Sequence, residues 1–308
     1  MFGLDYVVRS SLVDNVSKLH GNLELAGDNM NGLACIVVLY NPDEDVINKI
    51  VSYTNYFEKI ILVDNSRKDI GCLFNNKEIE YIPNMQNKGI AYALNEGMRK
   101  AIDEEFKWVM TLDQDSYVSN ECICQLRKTI KSINDNNVAL ISANYEPEEY
   151  LPENGVEEIH FAITSGSVIN ALAYKKIGGF IDNMFIDAVD YEYCYRLVSK
   201  GYKLIRDNQA LFSHMIGNPT YVKNIECRNY PAFRYYFITR NNLIVSKMYK
   251  NVLPESLKLR ESVKKYVKST WYEEDKIKKH IFMVIAKFDY YLWLLTHKYY
   301  CHINNYLK

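Results

Sequence analysis

The sequence is missing several motifs that would place a ligand at once. Its 308 residues contain no GxxxxGK[ST] loop and no GxGxxG turn, which excludes a P-loop and a dinucleotide fingerprint. Any bound phosphate must be held in some other way. The seven cysteines (35, 72, 122, 124, 194, 227 and 301) are odd in number and scattered. Cys122-x-Cys124 is not a CxxC pair, no zinc spacing appears, and reduced thiols in a cytosolic compartment are the simplest reading. No apolar run approaches the roughly eighteen residues of a spanning helix. The first 32 residues show no basic stretch followed by an apolar one, so no signal peptide is expected. A net charge of −1 speaks against a dedicated nucleic-acid binder.

What the chain does have is length for a large core, 26 tyrosines, and an uneven spread of charge. From Glu255 onward there are eleven Lys/Arg against six Asp/Glu, and everything before carries −6. Trp108-Val109-Met110-Thr111-Leu112 reads as a buried strand that stops at Asp113-Gln114-Asp115-Ser116. Two carboxylates past a strand's carboxyl end lie where open α/β sheets bind ligands, and their oxygens suit a divalent cation that could hold a diphosphate. Paired acids are common in solvated turns, so the surrounding pattern has to decide.

Leu33 to Leu39 is apolar on both faces, as parallel strands in a covered sheet are. It leads into Tyr40-Asn41-Pro42, where Asn41 can cap a helix that Pro42 and the acids 43 to 45 begin. Strands follow at Ile60 to Val63 and Glu80 to Ile82, and Asn87-Lys88-Gly89 opens a helix running through Ile102. Gly97 within that helix implies a close backbone approach. This alternation describes a nucleotide-binding α/β half. The second half reads as a helix over Glu121 to Ile133, a strand at Val138 to Ala143, and a polar loop from Glu146 to Glu158. A helix then runs from Asp190 to Lys200, with strands at Lys203 to Ile205 and Ala210 to Phe212. Phe233 to Tyr249 is helical, and the Lys-rich, then aromatic, remainder permits helix. A further helix-like segment spans Tyr6 to Leu19. The expected divisions are residues 1–32 as an extension, 33–118 as a nucleotide-sugar-binding half, 119–250 as the acceptor and catalytic half of the same domain, and 251–308 as a basic, aromatic tail.

The motifs Tyr40-Asn41-Pro42, Val63-Asp64-Asn65-Ser66, Asn87-Lys88-Gly89-Ile90-Ala91, Leu112-Asp113-Gln114-Asp115-Ser116, Thr164-Ser165-Gly166 and Phe185-Ile186-Asp187-Ala188-Val189-Asp190 resemble, in order, those of the family 2 glycosyltransferases. The similarity runs from about Leu33 to Asn242 and is nearest the rhamnosyltransferase-like branch, where Gln between the two acids is common. It implies an α/β A-type glycosyltransferase fold with a mostly parallel nucleotide-binding sheet and a C-terminal helical extension. It also implies a nucleotide-sugar donor, Mn²⁺ or Mg²⁺, and inversion at the anomeric carbon. By this resemblance Tyr40, Pro42 and Asp64 hold the base and ribose, and Lys88 and Gly89 border the nucleotide. Ser165 and Gly166 join the substrate site. Asp113 serves the ribose or a metal-bound water, Asp115 the metal, and His214 is an added metal ligand. Arg240 reaches the diphosphate.

Asp190 is the expected base, with Asp187 in reserve, because Val189 replaces the first acid of the family's pair. Local rivals stand beside these roles. Asp64 can bond its own turn, Asp187 and Asp190 can begin a helix as a capping box, Glu192 and Arg196 can form a helical ion pair, and Arg240 can serve helix packing. The expected donor is dTDP-rhamnose, then a UDP-hexose, and the acceptor a saccharide, lipid-linked at the inner membrane surface, in bacterial surface polysaccharide synthesis. The expected location is cytoplasmic, with the basic tail either against that surface or packed on the domain or at a dimer interface. A sugar-nucleotidyltransferase would want a glycine-rich, Arg-containing loop where Tyr40-Asn41-Pro42-Asp43 stands. A non-catalytic nucleotide-sugar-binding protein is the other alternative.

Overall fold

The computed structural model describes residues 32–145, 155–214 and 219–304, with the backbone alone at His214. The helix expected over Tyr6 to Leu19 lies outside the described residues, as does most of the Glu146 to Glu158 loop. Asn31–Lys308 makes one compact unit.

Four parallel strands build the first half: β1 (Leu33–Leu39), β2 (Lys59–Asp64), β3 (Ile79–Pro83) and β4 (Trp108–Asp113), in the order β3-β2-β1-β4. β1 is buried throughout except at Val38, because helices cover both faces of the sheet. Helix α1 (Glu44–Ser52) follows β1, and α2 (Ile90–Asp103) connects β3 to β4. Gly97 of α2 lies against Ile36, where an added Cβ would come within 2.7 Å of the isoleucine side chain. The close approach expected there is present. The cap of α1 differs from expectation. Asp43, not Asn41, accepts the Val46 N–H, and Asn41 sits at φ 47 with its N–H donated to Ser66 Oγ at 2.6 Å.

Beyond β4 the sheet becomes mixed. Helix α3 (Asn120–Ser132), β6 (Val138–Tyr145), β7 (Val156–Ile159), β8 (Ser167–Asn170), α4 (Ala171–Ile177), α5 (Val189–Ser199) and β9 (Lys203–His214) follow β5 (Ser116–Val118). The order continues β4-β8-β6-β9-β5, with β8 antiparallel to both its neighbours and β7 beside β9. The two short strands expected over 203–212 are one strand. Its pairing with β6 shifts register between Ala143, opposite Asp207, and Asn144, opposite Leu211, so Asn208, Gln209 and Ala210 occupy the irregularity. Buried Asp207 accepts there from Thr129 and from Gln125 Nε2.

Only Gln114 and Asp115 separate β4 from β5, yet β5 pairs with the end of β9, Ser116 opposite His214. Two residues cannot cross an open sheet, since each spans at most about 3.6 Å. The sheet therefore curls until the end of β9 meets the end of β4, and the aspartate pair sits at that seam.

Helix α6 (Ala232–Tyr249) is buried on nearly all sides, as a helix enclosed by neighbours must be. The tail supplies those neighbours, α7 (Leu257–Ser269) and α8 (Lys276–Thr296). Tyr236 donates to the buried Asp289 carboxylate, which also accepts from His302. Glu273 takes the Tyr235 hydroxyl at 2.7 Å and Lys279 Nζ at 2.8 Å. Asp289, which interrupts the apolar run in sequence, is thus a buried acceptor.

Candidate active site

Three segments far apart in the chain meet at the carboxyl ends of β1, β2 and β4. At the first, Gln114 clamps the end of β1. Its Oε1 accepts the Tyr40 N–H at 2.7 Å and its Nε2 donates to Tyr40 O at 3.2 Å. Lys49, reaching in from α1, donates to Gln114 O at 2.5 Å and Ser116 O at 2.9 Å. Burial lowers the ammonium's pKa while Asp115 and Asp43 raise it. From the other side Ser165 Oγ accepts the Asp113 N–H at 3.0 Å and shares a 2.6 Å bond with Ser116 Oγ. The Asp113–Ser116 turn is therefore held at three points, with Asp113 half-buried and Asp115 exposed. Lys49 gave no sign of this in the sequence, where its helix showed only an apolar face.

At the second segment, Asp64 is 1% exposed. Its Oδ1 accepts the Ser66 N–H at 2.7 Å and its Oδ2 the Tyr81 hydroxyl at 2.8 Å, so the local-turn alternative is the bond the structure contains. Asn65 ties the turn to the glycine loop, donating to Gly89 O and accepting from Asn84 and Lys88 N. Lys88 lies over the Tyr92 ring, its ammonium 4.4 Å from the centroid. Tyr40 is 52% exposed and Pro42 half-buried, both within reach of a ligand at this edge.

The third segment is the loop entering α5. Ile90 N–H donates to Phe185 O at 2.7 Å, and Gly89 approaches the same residue so closely that a Cβ would stand 2.6 Å from that oxygen. Gly89 has φ +85, which suits glycine alone at low cost. Phe185, Asp187 and Ala188 also have positive φ, at 65, 64 and 59, a strained run of the kind found at functional sites. The capping-box alternative is absent, because Ala188 is the cap and makes no side-chain bond.

Within this loop Asp187 and Asp190 have separate environments. Asp187 pairs with Arg234 at 3.2 Å; burial raises its pKa and Arg234 opposes the rise. Asp190 accepts the Tyr191 N–H at 2.8 Å. Burial pushes its carboxyl up to about 7, the charges of Asp187 and Asp113 push the same way, and the backbone N–H of Tyr191 pulls down. Asp113 lies near enough to Asp190 for its charge to help raise that carboxyl, so the β4 turn and the α5 loop are neighbours.

Three expected site residues are placed differently. Arg240 is 1% exposed and gives its guanidinium to Asn183 O at 2.5 Å, Tyr300 O at 2.7 Å and Asn241 Oδ1 at 3.0 Å. It is therefore not at a diphosphate surface, and the packing alternative describes it. Its neighbour Asn241 donates to Met184 O, Ile186 O and Asp187 O. The pair holds the strained loop from beneath, a task that no side-chain pattern announces because its partners are carbonyls. Ser165, also 1% exposed, and Gly166, whose Cβ would meet the Phe212 ring at 2.7 Å, support the aspartate turn from behind. The His214 side chain lies outside the described residues, though its backbone pairs with Ser116. Glu192 and Arg196 form a bidentate pair at 2.9 and 2.8 Å. Glu192 is fully buried, and Arg196 also caps the carbonyls of Ile177, Gly178 and Gly179.

Among the described residues no group of three or more His, Cys, Asp or Glu gathers as a metal cage. Two carboxylates on one turn, with a negative field reaching Asp190, are the donor set available to a cation, and hard oxygens suit Mg²⁺ or Mn²⁺.

A curled mixed sheet with paired aspartates beyond its fourth strand and a half-buried acid near them is the arrangement of the A-type glycosyltransferase fold. The profile of glycosyl transferase family 2 matches residues 35–186, so this stretch carries a family 2 glycosyltransferase domain. It is 24% identical over 278 residues to the dTDP-rhamnosyl transferase RfbF of Shigella flexneri, covering 82% of this chain and 93% of that one. It is 23% identical over 210 residues to the low-salt glycan biosynthesis hexosyltransferase Agl10 of Haloferax volcanii, covering 60% of this chain and 66% of that one. Among solved structures, the mannosyltransferase PcManGT of Pyrobaculum calidifontis, in complex with GDP-Man and Mn²⁺, shares the fold. Its TM-score is 0.53 at 13% identity, over 94% of this chain and 86% of that one. GalNAc-T7 with UDP, GalNAc and Mn²⁺ gives 0.50 at 15% identity, over 75% of this chain and 55% of that one.

Proposed function

We propose that the protein moves a sugar, with inversion, from a nucleoside-diphosphate sugar to an acceptor hydroxyl, and that a divalent cation assists. What supports this reading is the convergence of the strained α5 loop, with half-buried Asp190, on the Asp113–Asp115 turn, whose charge helps raise the Asp190 carboxyl. A general base needs a pKa near the working pH and a place opposite the departing group. Asp190 takes the acceptor proton as its hydroxyl attacks the anomeric carbon and the bond to the diphosphate breaks. Asp187, paired with Arg234, sets the loop and adds its charge to the field at Asp190.

Asp115 and Asp113, joined by His214, would hold Mn²⁺ or Mg²⁺, which neutralises charge on the leaving diphosphate. Tyr40, Pro42 and Lys88 border the nucleotide, and Asp64 shapes the turn beneath it. The likeness to RfbF supports dTDP-rhamnose as donor, with UDP-hexoses next, and a lipid-linked saccharide of a bacterial surface polysaccharide as acceptor.

The test is a nucleotide-sugar panel with a saccharide acceptor, with and without Mn²⁺, read by release of nucleoside diphosphate and by the anomeric configuration of the product. Transfer from dTDP-rhamnose with inversion and a requirement for metal is expected. Retention of configuration, or metal-independent transfer, would contradict the mechanism.

A further inference from the structure

Helix α8 packs one face on α6 and leaves the other in solvent. The free face carries Ile277, Ile281, Val284, Phe288, Tyr291 and Leu295, with exposures from 52% to 81%. At about 100° of rotation per residue these six fall within about 40° of a single line along the helix. Such a long ordered apolar stripe on a surface marks an interaction site.

Charge decides what the stripe meets. Lys276 and Lys278 flank it at one end and Lys287 farther along, all exposed. The only carboxylate of α8, Asp289, is 1% exposed and turned inward. Trp271, 57% exposed, packs 4.2 Å from the His280 ring at the edge of the stripe, which places an indole on the same side. A second copy packed in parallel would set these lysines against lysines, and an antiparallel one centred on the stripe would still set Lys287 against Lys287, because positions beside a helical seam confront each other across it. An anionic bilayer surface accepts all three features. Apolar side chains enter the acyl boundary, the indole sits at headgroup depth, and lysines reach lipid phosphates. No helix among the described residues is long and apolar enough to cross a membrane.

We infer that the exposed face of α8 is a docking surface for an anionic lipid bilayer, with the helix lying in the membrane plane. This extends the reading of a lipid-linked acceptor, but vesicle binding is measured without donor or acceptor, so either can fail alone. The experiment is co-sedimentation of the full chain with phosphatidylcholine:phosphatidylglycerol vesicles and with phosphatidylcholine alone. The variants are Val284→Gln/Phe288→Gln/Leu295→Gln and Lys278→Gln/Lys287→Gln, with thermal unfolding as a check that each is folded.

The chain should bind the anionic vesicles and release them in high salt. Each lysine removed should weaken binding about fivefold, and the apolar triple variant should bind at least about tenfold more weakly. Equal partitioning of the wild-type chain between the two lipids, or unchanged binding by both variants, would overturn the inference. So would a dimer in sedimentation velocity that the apolar variant abolishes, which would make the stripe a contact between copies.

Discussion

Asp190 is held near neutrality by burial and by two carboxylate neighbours, and that state has consequences that can be measured. A base must be ionised, so kcat/KM should fall as pH drops through about 7. Removing the Asp187 charge takes away one cause of the rise, so Asp187→Asn should retain transfer and move that limb to lower pH. Loss of all activity would make Asp187 the base instead. Stability has its own sign. Between the ordinary 3.8 and about 7 the folded carboxyl keeps a proton that the unfolded one has lost. The fold therefore loses stability as pH rises through that window. Asp190→Asn should flatten this fall, seen as a melting temperature that gains on wild type toward pH 8. Arg240 behaves differently. Arg240→Ala orphans buried carbonyls and should cost about 2–5 kcal/mol in a urea titration, while the residual folded enzyme still binds donor. Four of the 26 tyrosines have a shared role here. Tyr81, Tyr235, Tyr236 and Tyr249 each donate to a buried carboxylate, those of Asp64, Glu273, Asp289 and Glu192.

Strands and helices were legible where their apolar spacing was strong. β1 through β4 and helices α2, α3, α5 and α6 lie within a residue or two of their expected bounds. The missed details are those that tertiary contacts decide. Asn41 looks like a cap, but the strand-end turn takes its N–H for Ser66, and Asp43 caps instead. β9 looked broken because its middle is polar, and only buried partners such as Thr129 make that polarity acceptable. Of the site, the aspartate turn and Asp190 were readable from ordered motifs. Arg240-Asn241 was not, since a motif does not show whether an arginine faces a ligand or a carbonyl. The close contact of the glycine loop with the α5 loop gives a test at this scale. Gly89→Ala forces a Cβ toward Phe185 O and strains φ, so it should cost about 1–3 kcal/mol and lower kcat more than donor affinity.

At the scale of the whole molecule, the tail completes the catalytic unit. α6 is enclosed by α7 and α8, and Tyr266 of α7 lies close enough to Asp187 to feel its charge. A chain ending at Leu253 would expose the buried face of α6 and remove the carboxylate partners of Tyr235 and Tyr236, so it should fail to unfold cooperatively and should aggregate. The curl of the sheet and the strained loop bring together acids that the chain keeps apart. The direct test is a paired measurement on Asp190→Asn and Asp115→Asn, each assayed for donor binding by calorimetry in Mn²⁺ and for single-turnover transfer. Asp190→Asn should bind donor as wild type does and lose roughly 10²–10⁴-fold in transfer, whereas Asp115→Asn should lose the metal-dependent part of donor binding. Full turnover by Asp190→Asn, or donor binding in Asp115→Asn that still responds to Mn²⁺ as wild type does, would contradict the account.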